Sequence, residues 1–338
     1  MESLRAEFME KSAEALQLHS AGRGARGAGH GMTQGGRHSA RVLAWAFGAL
    51  IGVSAALSAT SVAALAAPSA SPGPTAPSSG CALPAGRTGV FTLKTTDGNH
   101  RSRSYLIQVP ADYTPSRAYP LYFVFHGGGG NSRQSYGWGL QNAPGAAANG
   151  IFIFPQGIEF QRYGVGWDDS KNSYDLPFFD NMLNETGAAY CIDSAHVFVA
   201  GFSWGGDFVI ALACHRGDKI RAVVANSTDD EYKDTADFMT YRGFPCGTRR
   251  PPSVRFSHAI GGDQMYPPPD FATTSQLLQY LNGCSGKATQ VTSSSAVMSC
   301  VSHEACETGY VECSFDTRIG HGLPPNWAED TWKYFSQF

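Results

Sequence analysis

The sequence runs to 338 residues with a net charge of -3 and 42% hydrophobic residues, enough apolar surface for one large α/β domain or two small ones. Its nearly balanced charge, with no cluster of Lys and Arg in the body of the chain, excludes a nucleic-acid surface, so no nucleic-acid partner is expected. After about residue 80 nothing in the composition predicts disorder.

The first 66 residues read as a leader. Val42 to Leu57 is apolar, follows Arg37, His38 and Arg41, and leads through small residues to Ala64-Leu65-Ala66, the pattern of a secretory signal peptide with its cleavage site. Met32 is an alternative initiator. The Ser, Thr and Ala content of the run argues against a membrane anchor, so a secreted, extracellular protein with no stable membrane association is expected. Gly22, Gly24 and Gly27 match a dinucleotide fingerprint literally but follow no strand, and the match is discarded. Residues 67–80 form a Pro/Ser-rich linker, and residues 81–338 the folded domain.

Alternating residues at Gly89 to Lys94 and Arg103 to Val109, around Asp97-Gly98-Asn99, predict an antiparallel hairpin. Pro120 to Phe125 and Ile151 to Phe154 are continuous apolar runs, as expected of strands buried on both faces. Asp175 to Tyr190 predicts a helix, then His196 to Ala200 a strand, Asp207 to Cys214 a helix, and Ile220 to Ala225 and Val254 to Ile260 two more strands. Phe271 to Leu281 predicts an amphipathic helix, Val291 to Val301 and Tyr310 to Phe315 a strand pair, and Trp327 to Phe335 a closing helix with Asn326 as N-cap. Strands alternating with helices imply a mostly parallel, doubly wound α/β sheet with an N-terminal antiparallel hairpin.

Gly201-Phe202-Ser203-Trp204-Gly205 lies between a predicted strand and a predicted helix, the setting of a nucleophile elbow. Glycines flank the serine where a Cβ would clash in so tight a turn. A serine nucleophile needs a base, a carboxylate that orients the base, and amide donors for the oxyanion. His321, between Gly320 and Gly322 beyond the last sheet strands, is the candidate base. Asp263, in the glycine-led loop after Val254 to Ile260, is the candidate acid, with Asp229, Asp230, Glu231 and Asp316 as rivals. The order Ser203, Asp263, His321 is that of α/β-hydrolases and not of chymotrypsin-like or subtilisin-like proteases. The amide of Trp204 and those of Gly127 and Gly128, in His126 to Gly130, are the expected oxyanion donors. Trp167, Tyr163 and Tyr266 are candidate aromatic walls for substrate, and the indole of Trp204 is another.

Eight cysteines follow the leader, an even number that suits an oxidising compartment and four disulfides. A zinc site from Cys300, His303 and Cys306 lacks paired C-x2-C spacing. Cys300 and Cys313 face each other across the predicted strand pair, which leaves Cys306 at its tip for Cys284; Cys214 with Cys246 and Cys81 with Cys191 complete the scheme. Asn184-Glu185-Thr186 and Asn226-Ser227-Thr228 are glycosylation sequons.

Gly-Phe-Ser-Trp-Gly-Gly, the Leu-Ala-Cys after it, His-Ala-Ile-Gly-Gly-Asp, Leu281-Asn282-Gly283-Cys284, Gly320-His321 and the final Trp332 to Phe338 resemble secreted feruloyl esterases of the carbohydrate esterase 1 type, relatives of polyhydroxybutyrate depolymerases and acetyl xylan esterases. The resemblance covers roughly Cys81 to Phe338. It implies an α/β-hydrolase fold, serine-esterase cleavage of ferulate from arabinoxylan, and the same roles for Ser203, Asp263 and His321. The expected partner is an esterified plant polysaccharide or small aromatic ester, acted on by a monomer with no metal or organic cofactor. Rival readings are a polyesterase, an acetyl xylan esterase and a non-catalytic sugar-binding protein.

Overall fold

The computed structural model of the protein describes residues 75–160, 164–170, 173–229, 252–291 and 298–338. The expectations for the leader, most of the linker, Tyr163, Cys246, Asp230 and Glu231 lie outside them.

In chain order, β1 (Gly89–Thr96) and β2 (Ser102–Val109) precede β3 (Tyr119–Phe125), and two short helices, α1 (Ser132–Gly137) and α2 (Ala146–Asn149), lead to β4 (Ile151–Pro155). A small hairpin of β5 (Ile158–Phe160) and β6 (Gly164–Gly166) follows, then α3 (Asp175–Ala189), β7 (Ile192–Phe202), α4 (Trp204–Arg216) and β8 (Ala222–Asn226). β9 (Ser253–Ala259), α5 (Pro268–Leu281), β10 (Ala288–Val291), β11 (Met298–His303), β12 (Tyr310–Phe315) and α6 (Trp327–Phe335) complete the described chain.

Ten strands make one sheet in the order β1-β2-β4-β3-β7-β8-β9-β12-β11-β10. The six central strands, β4 to β12 in that order, run parallel. Antiparallel pairs close both edges, so the hairpin expected at one end has a counterpart at the other. Successive residues of a strand face opposite sides, and β3 shows what this does. Tyr122 and Val124 enter a cluster with Phe152, Phe198, Val224, Trp327 and Phe335, which covers one face with α6. Phe123 and Phe125 point the other way, onto Phe179 of α3 and Phe208 of α4. Burial on both faces is why these strands read as unbroken apolar runs.

Bonding to the sheet starts before Cys81: the Ser78 amide donates to the Ile192 carbonyl at 2.9 Å and the Ser194 amide to the Ala76 carbonyl at 2.9 Å. Disulfides join Cys81 to Cys191, Cys284 to Cys306 and Cys300 to Cys313, as the sequence predicts. Cys214 is disulfide-bonded as well. With Cys300 and Cys306 both oxidised, the zinc reading loses two of its three ligands. Asn326 precedes α6 as expected but adopts φ 60°, and its side chain makes no capping bond.

Candidate active site

β7 ends at Phe202 and α4 begins at Trp204, so Ser203 alone makes the turn, at φ 53° and ψ -130°. Such a conformation is unfavourable for any residue with a Cβ and persists only where the surroundings impose it. Here they do. A Cβ on Gly201 would fall 2.0 Å from the Gly205 carbonyl oxygen, and one on Gly205 would fall 2.4 and 2.5 Å from the carbonyl oxygens of Phe125 and His126. The Ser203 amide donates to the Asn226 carbonyl at 3.0 Å, and the Asn226 side-chain amide donates to the Gly201 carbonyl at 3.1 Å. The end of β8 thus clamps the elbow from the side.

His321 bridges the serine and the predicted carboxylate. Its Nε2 lies 2.8 Å from Ser203 Oγ and its Nδ1 3.0 Å from Asp263 Oδ2. An ionised carboxylate only accepts, so Nδ1 carries the proton and donates, and Nε2 is left to accept from the serine hydroxyl. The Asp263 side chain is 0% exposed and that of His321 17%. Burial alone would push the Asp263 carboxyl up; the hydrogen bonds from His321 and from the Tyr266 and Met265 amides outweigh it and hold the group below its usual value. Asp316 pairs instead with Arg318, and the carboxylate that His321 Nδ1 meets is that of Asp263.

Gly127 lies against the nucleophile, where a Cβ would come within 3.2 Å of Ser203 Cβ. Further along that loop the Gly129 amide donates to Val165 and that of Gly130 to Gly127, whereas among the described residues no hydrogen bond engages the amides of Gly127 and Gly128. The Trp204 amide is the first of α4, one of the four N–H groups a helix leaves without an internal partner. The three residues whose amides the sequence reading singles out thus stand together, with a Cβ on Gly128 coming 3.4 Å from the Trp204 ring.

The aromatic walls need correction. Trp167 is fully buried: its indole N–H donates to the His126 carbonyl at 2.8 Å, and its ring stacks on Phe208 and meets Phe125 edge-on. It braces the loop of Gly127 and Gly128 from the core and offers no face to substrate. Tyr266 does reach the site, but only 7% exposed, with its ring 5.5 Å from that of His321. The Trp204 indole packs under the small hairpin, against Phe160 and so near Gly166 that a Cβ there would fall 2.3 Å from its ring.

Three residues escaped the sequence reading. Phe202, half-buried, sets its ring 4.9 Å from His321, and Trp138 meets Phe202 edge-on at 5.8 Å. Ser227 donates its hydroxyl to the Gly322 carbonyl at 2.9 Å, which fastens the His321 loop to the end of β8. Phe202 carried a signal, as the residue before the nucleophile.

A parallel sheet with a strained serine elbow at the carboxyl end of its central strand, and an acid and a histidine from later loops, defines the α/β-hydrolase fold. The acetyl xylan esterase of Aspergillus awamori shares it, with a TM-score of 0.57 and 16% identity over 73% of this chain and 100% of that one. In sequence the chain resembles feruloyl esterases, as its motifs imply. It is 34% identical to feruloyl esterase D of Neurospora crassa over 164 residues, 45% of this chain and 54% of that protein. It is 36% identical to feruloyl esterase C of Emericella nidulans over 130 residues, 36% of this chain and 44% of that one. The chain thus spans about half the length of these curated relatives. No protein-family model matches it.

Proposed function

We propose that this chain is a secreted serine carboxylic-ester hydrolase that releases ferulate from esterified plant polysaccharide such as arabinoxylan, or from small aromatic esters. The observation that carries the reading is His321 held between Ser203 at 2.8 Å and Asp263 at 3.0 Å, on a strained elbow. Likeness to feruloyl esterases supports the acyl group.

Ser203 Oγ attacks the ester carbonyl carbon as its proton passes to His321 Nε2. The carbonyl π pair moves to oxygen, where the amides of Trp204, Gly127 and Gly128 meet it; one such donor is worth about 2.7–4 kcal/mol to the transition state. Asp263 steadies the imidazolium without taking its proton. Collapse breaks the bond to the alcohol, which leaves with that proton. Water, deprotonated by His321, then frees the acid and restores Ser203. Three disulfides support an extracellular site of action, since such bonds persist in oxidising compartments. Among the described residues no helix is long and apolar enough to cross a membrane.

The test compares methyl ferulate, acetylated xylan and a short hydroxybutyrate polyester with the wild type and with Ser203→Ala. Fastest release of ferulate, lost at least ~10³-fold in the variant, is expected. Full activity in Ser203→Ala would sink the mechanism, and preference for acetate or hydroxybutyrate would replace the substrate.

A further inference from the structure

Two partly exposed aromatic residues border the site on the side of His321. Phe202 is the last residue of β7, and a Cβ on Gly127 would fall 3.0 Å from its ring and 3.2 Å from Ser203 Cβ, so the ring stands where the glycine loop meets the nucleophile. It lies 4.9 Å from the imidazole of His321. Trp138, just past α1, meets it edge-on at 5.8 Å and 83°, and is itself backed at 5.8 Å by the buried Trp327. The two rings make a corner held from behind by the core.

Proton transfer decides which half of an ester meets that corner. His321 Nε2, 2.8 Å from Ser203 Oγ, must hand its proton to the alcohol oxygen as the bond to the acyl carbon breaks. The leaving oxygen therefore comes within hydrogen-bond reach of Nε2, roughly 2.6–3.2 Å, and the group attached to it lies beside the imidazole. Two rings meet that imidazole. Tyr266 is 7% exposed and has little surface to offer, whereas Phe202 is only half-buried and continues outward into Trp138.

We propose that Phe202 and Trp138 form the subsite for the leaving alcohol and determine its specificity, which is for a sugar ring. This deepens the esterase reading and rests on Ser203 and His321 acting as described. A sugar ring presents a row of C–H bonds, slightly positive at hydrogen, to the negative face of an aromatic ring. Its hydroxyls offer oxygens that the indole N–H can donate to. The methyl group of methyl ferulate is too short to reach from the leaving oxygen past Phe202 to Trp138. The corner therefore separates one alcohol from another while the acyl group stays the same.

The test holds the acyl group constant and varies the alcohol, with ferulate esters of methanol, butanol and arabinose and with the wild type, Phe202→Leu and Trp138→Leu. The quantity read is the ratio of kcat/KM for the arabinose ester to that for the methyl ester. Loss of one aromatic contact should lower this ratio about 3- to 10-fold in each variant, chiefly through KM. Trp138→Phe keeps a ring against Trp327 and removes the N–H; it should lower the ratio by less, and it carries the test if Trp138→Leu does not fold. An unchanged ratio, whether from no loss or from equal losses on both esters, would overturn the proposal. So would a larger fall for the butyl ester than for the arabinose ester, which would assign the corner to apolar alcohols. If the wild type prefers acetate to ferulate, the acyl reading fails and the same ratio is read on acetyl esters. Ser203→Ala, run alongside, separates the two levels: if it is inactive while the ratios do not move, only the alcohol subsite is lost; if it stays active, the nucleophile's assignment falls with it.

Discussion

Gly157 donates its amide proton to Nε2 of His126 at 2.9 Å, which decides where that buried imidazole carries its own. Nδ1 must then be the protonated nitrogen, and it donates to the Gly127 carbonyl at 2.8 Å. A single side chain thereby ties the loop of Gly127 and Gly128 to the start of the small hairpin, and it works only while neutral. Burial lowers its pKa from 6.5 to about 4.

His126 should therefore make stability depend on pH. Between pH 6.5 and about 4 the unfolded chain takes up a proton that the folded protein refuses, so this contribution is complete above 6.5 and is lost as pH falls. The loss amounts to at most about 3.5 kcal/mol at ~1.4 kcal/mol per unit. Asp175, pushed up to about 6 mainly by burial against the pull of Arg103, titrates in the opposite sense, so the wild type alone does not isolate the term. His126→Gln, neutral throughout, removes it. Urea unfolding at several pH values should show the wild type's advantage over this variant shrinking from pH 7 to 4; a constant gap would refute the assignment.

Asp263 orients His321 as well as charging it. Asp263→Asn offers an amide that can donate where the carboxylate could only accept, which turns the imidazole toward the wrong tautomer. We expect kcat to fall about 10⁴-fold with the fold intact. The check is kcat on methyl ferulate beside the near-ultraviolet circular dichroism of the variant. A loss under tenfold would mean that another carboxylate serves His321.

The elbow was legible in the sequence because its constraint is local: glycines at 201 and 205 are demanded by carbonyl oxygens under 3 Å away, and a strand-then-helix pattern announces the turn. Asp263 was legible for a similar reason, at the end of a strand and headed by Gly261 and Gly262, both at positive φ. The aromatic residues were not. Trp167 and Tyr266 stand in glycine- and proline-rich stretches that resemble an open pocket rim, and only the packing of Phe125, Phe208 and Phe271 turns them inward. Ser227 was invisible because its partner, Gly322, lies 95 residues away.

The two sequons should behave differently. Asn184 is exposed on α3, whereas Asn226 is 1% exposed and spends its side-chain amide on the elbow. A glycan at Asn226 would break the bond to Gly201 and force polar sugar into the sheet. Peptide mass mapping of protein made in a glycosylating host should find no glycan at Asn226 in the active, folded fraction. A modified Asn226 in fully active protein would contradict the clamp described for β8.

The disulfides should differ in worth according to the chain they close. Cys81 and Cys191 span 110 residues and Cys300 and Cys313 only 13. A bridge acts mainly by restricting the unfolded chain, which gives about 4.7 kcal/mol for a loop near 100 residues and about 3 for one near 15. Cys81 also anchors the segment whose Ala76 and Ser78 are bonded alongside β7, so its loss releases native contacts that Cys300 does not hold. Replacing each pair by alanine should lower stability more for Cys81 and Cys191, by roughly 1–2 kcal/mol in urea unfolding. Equal losses, or a larger one for Cys300 and Cys313, would show that buried packing between β11 and β12 outweighs loop closure.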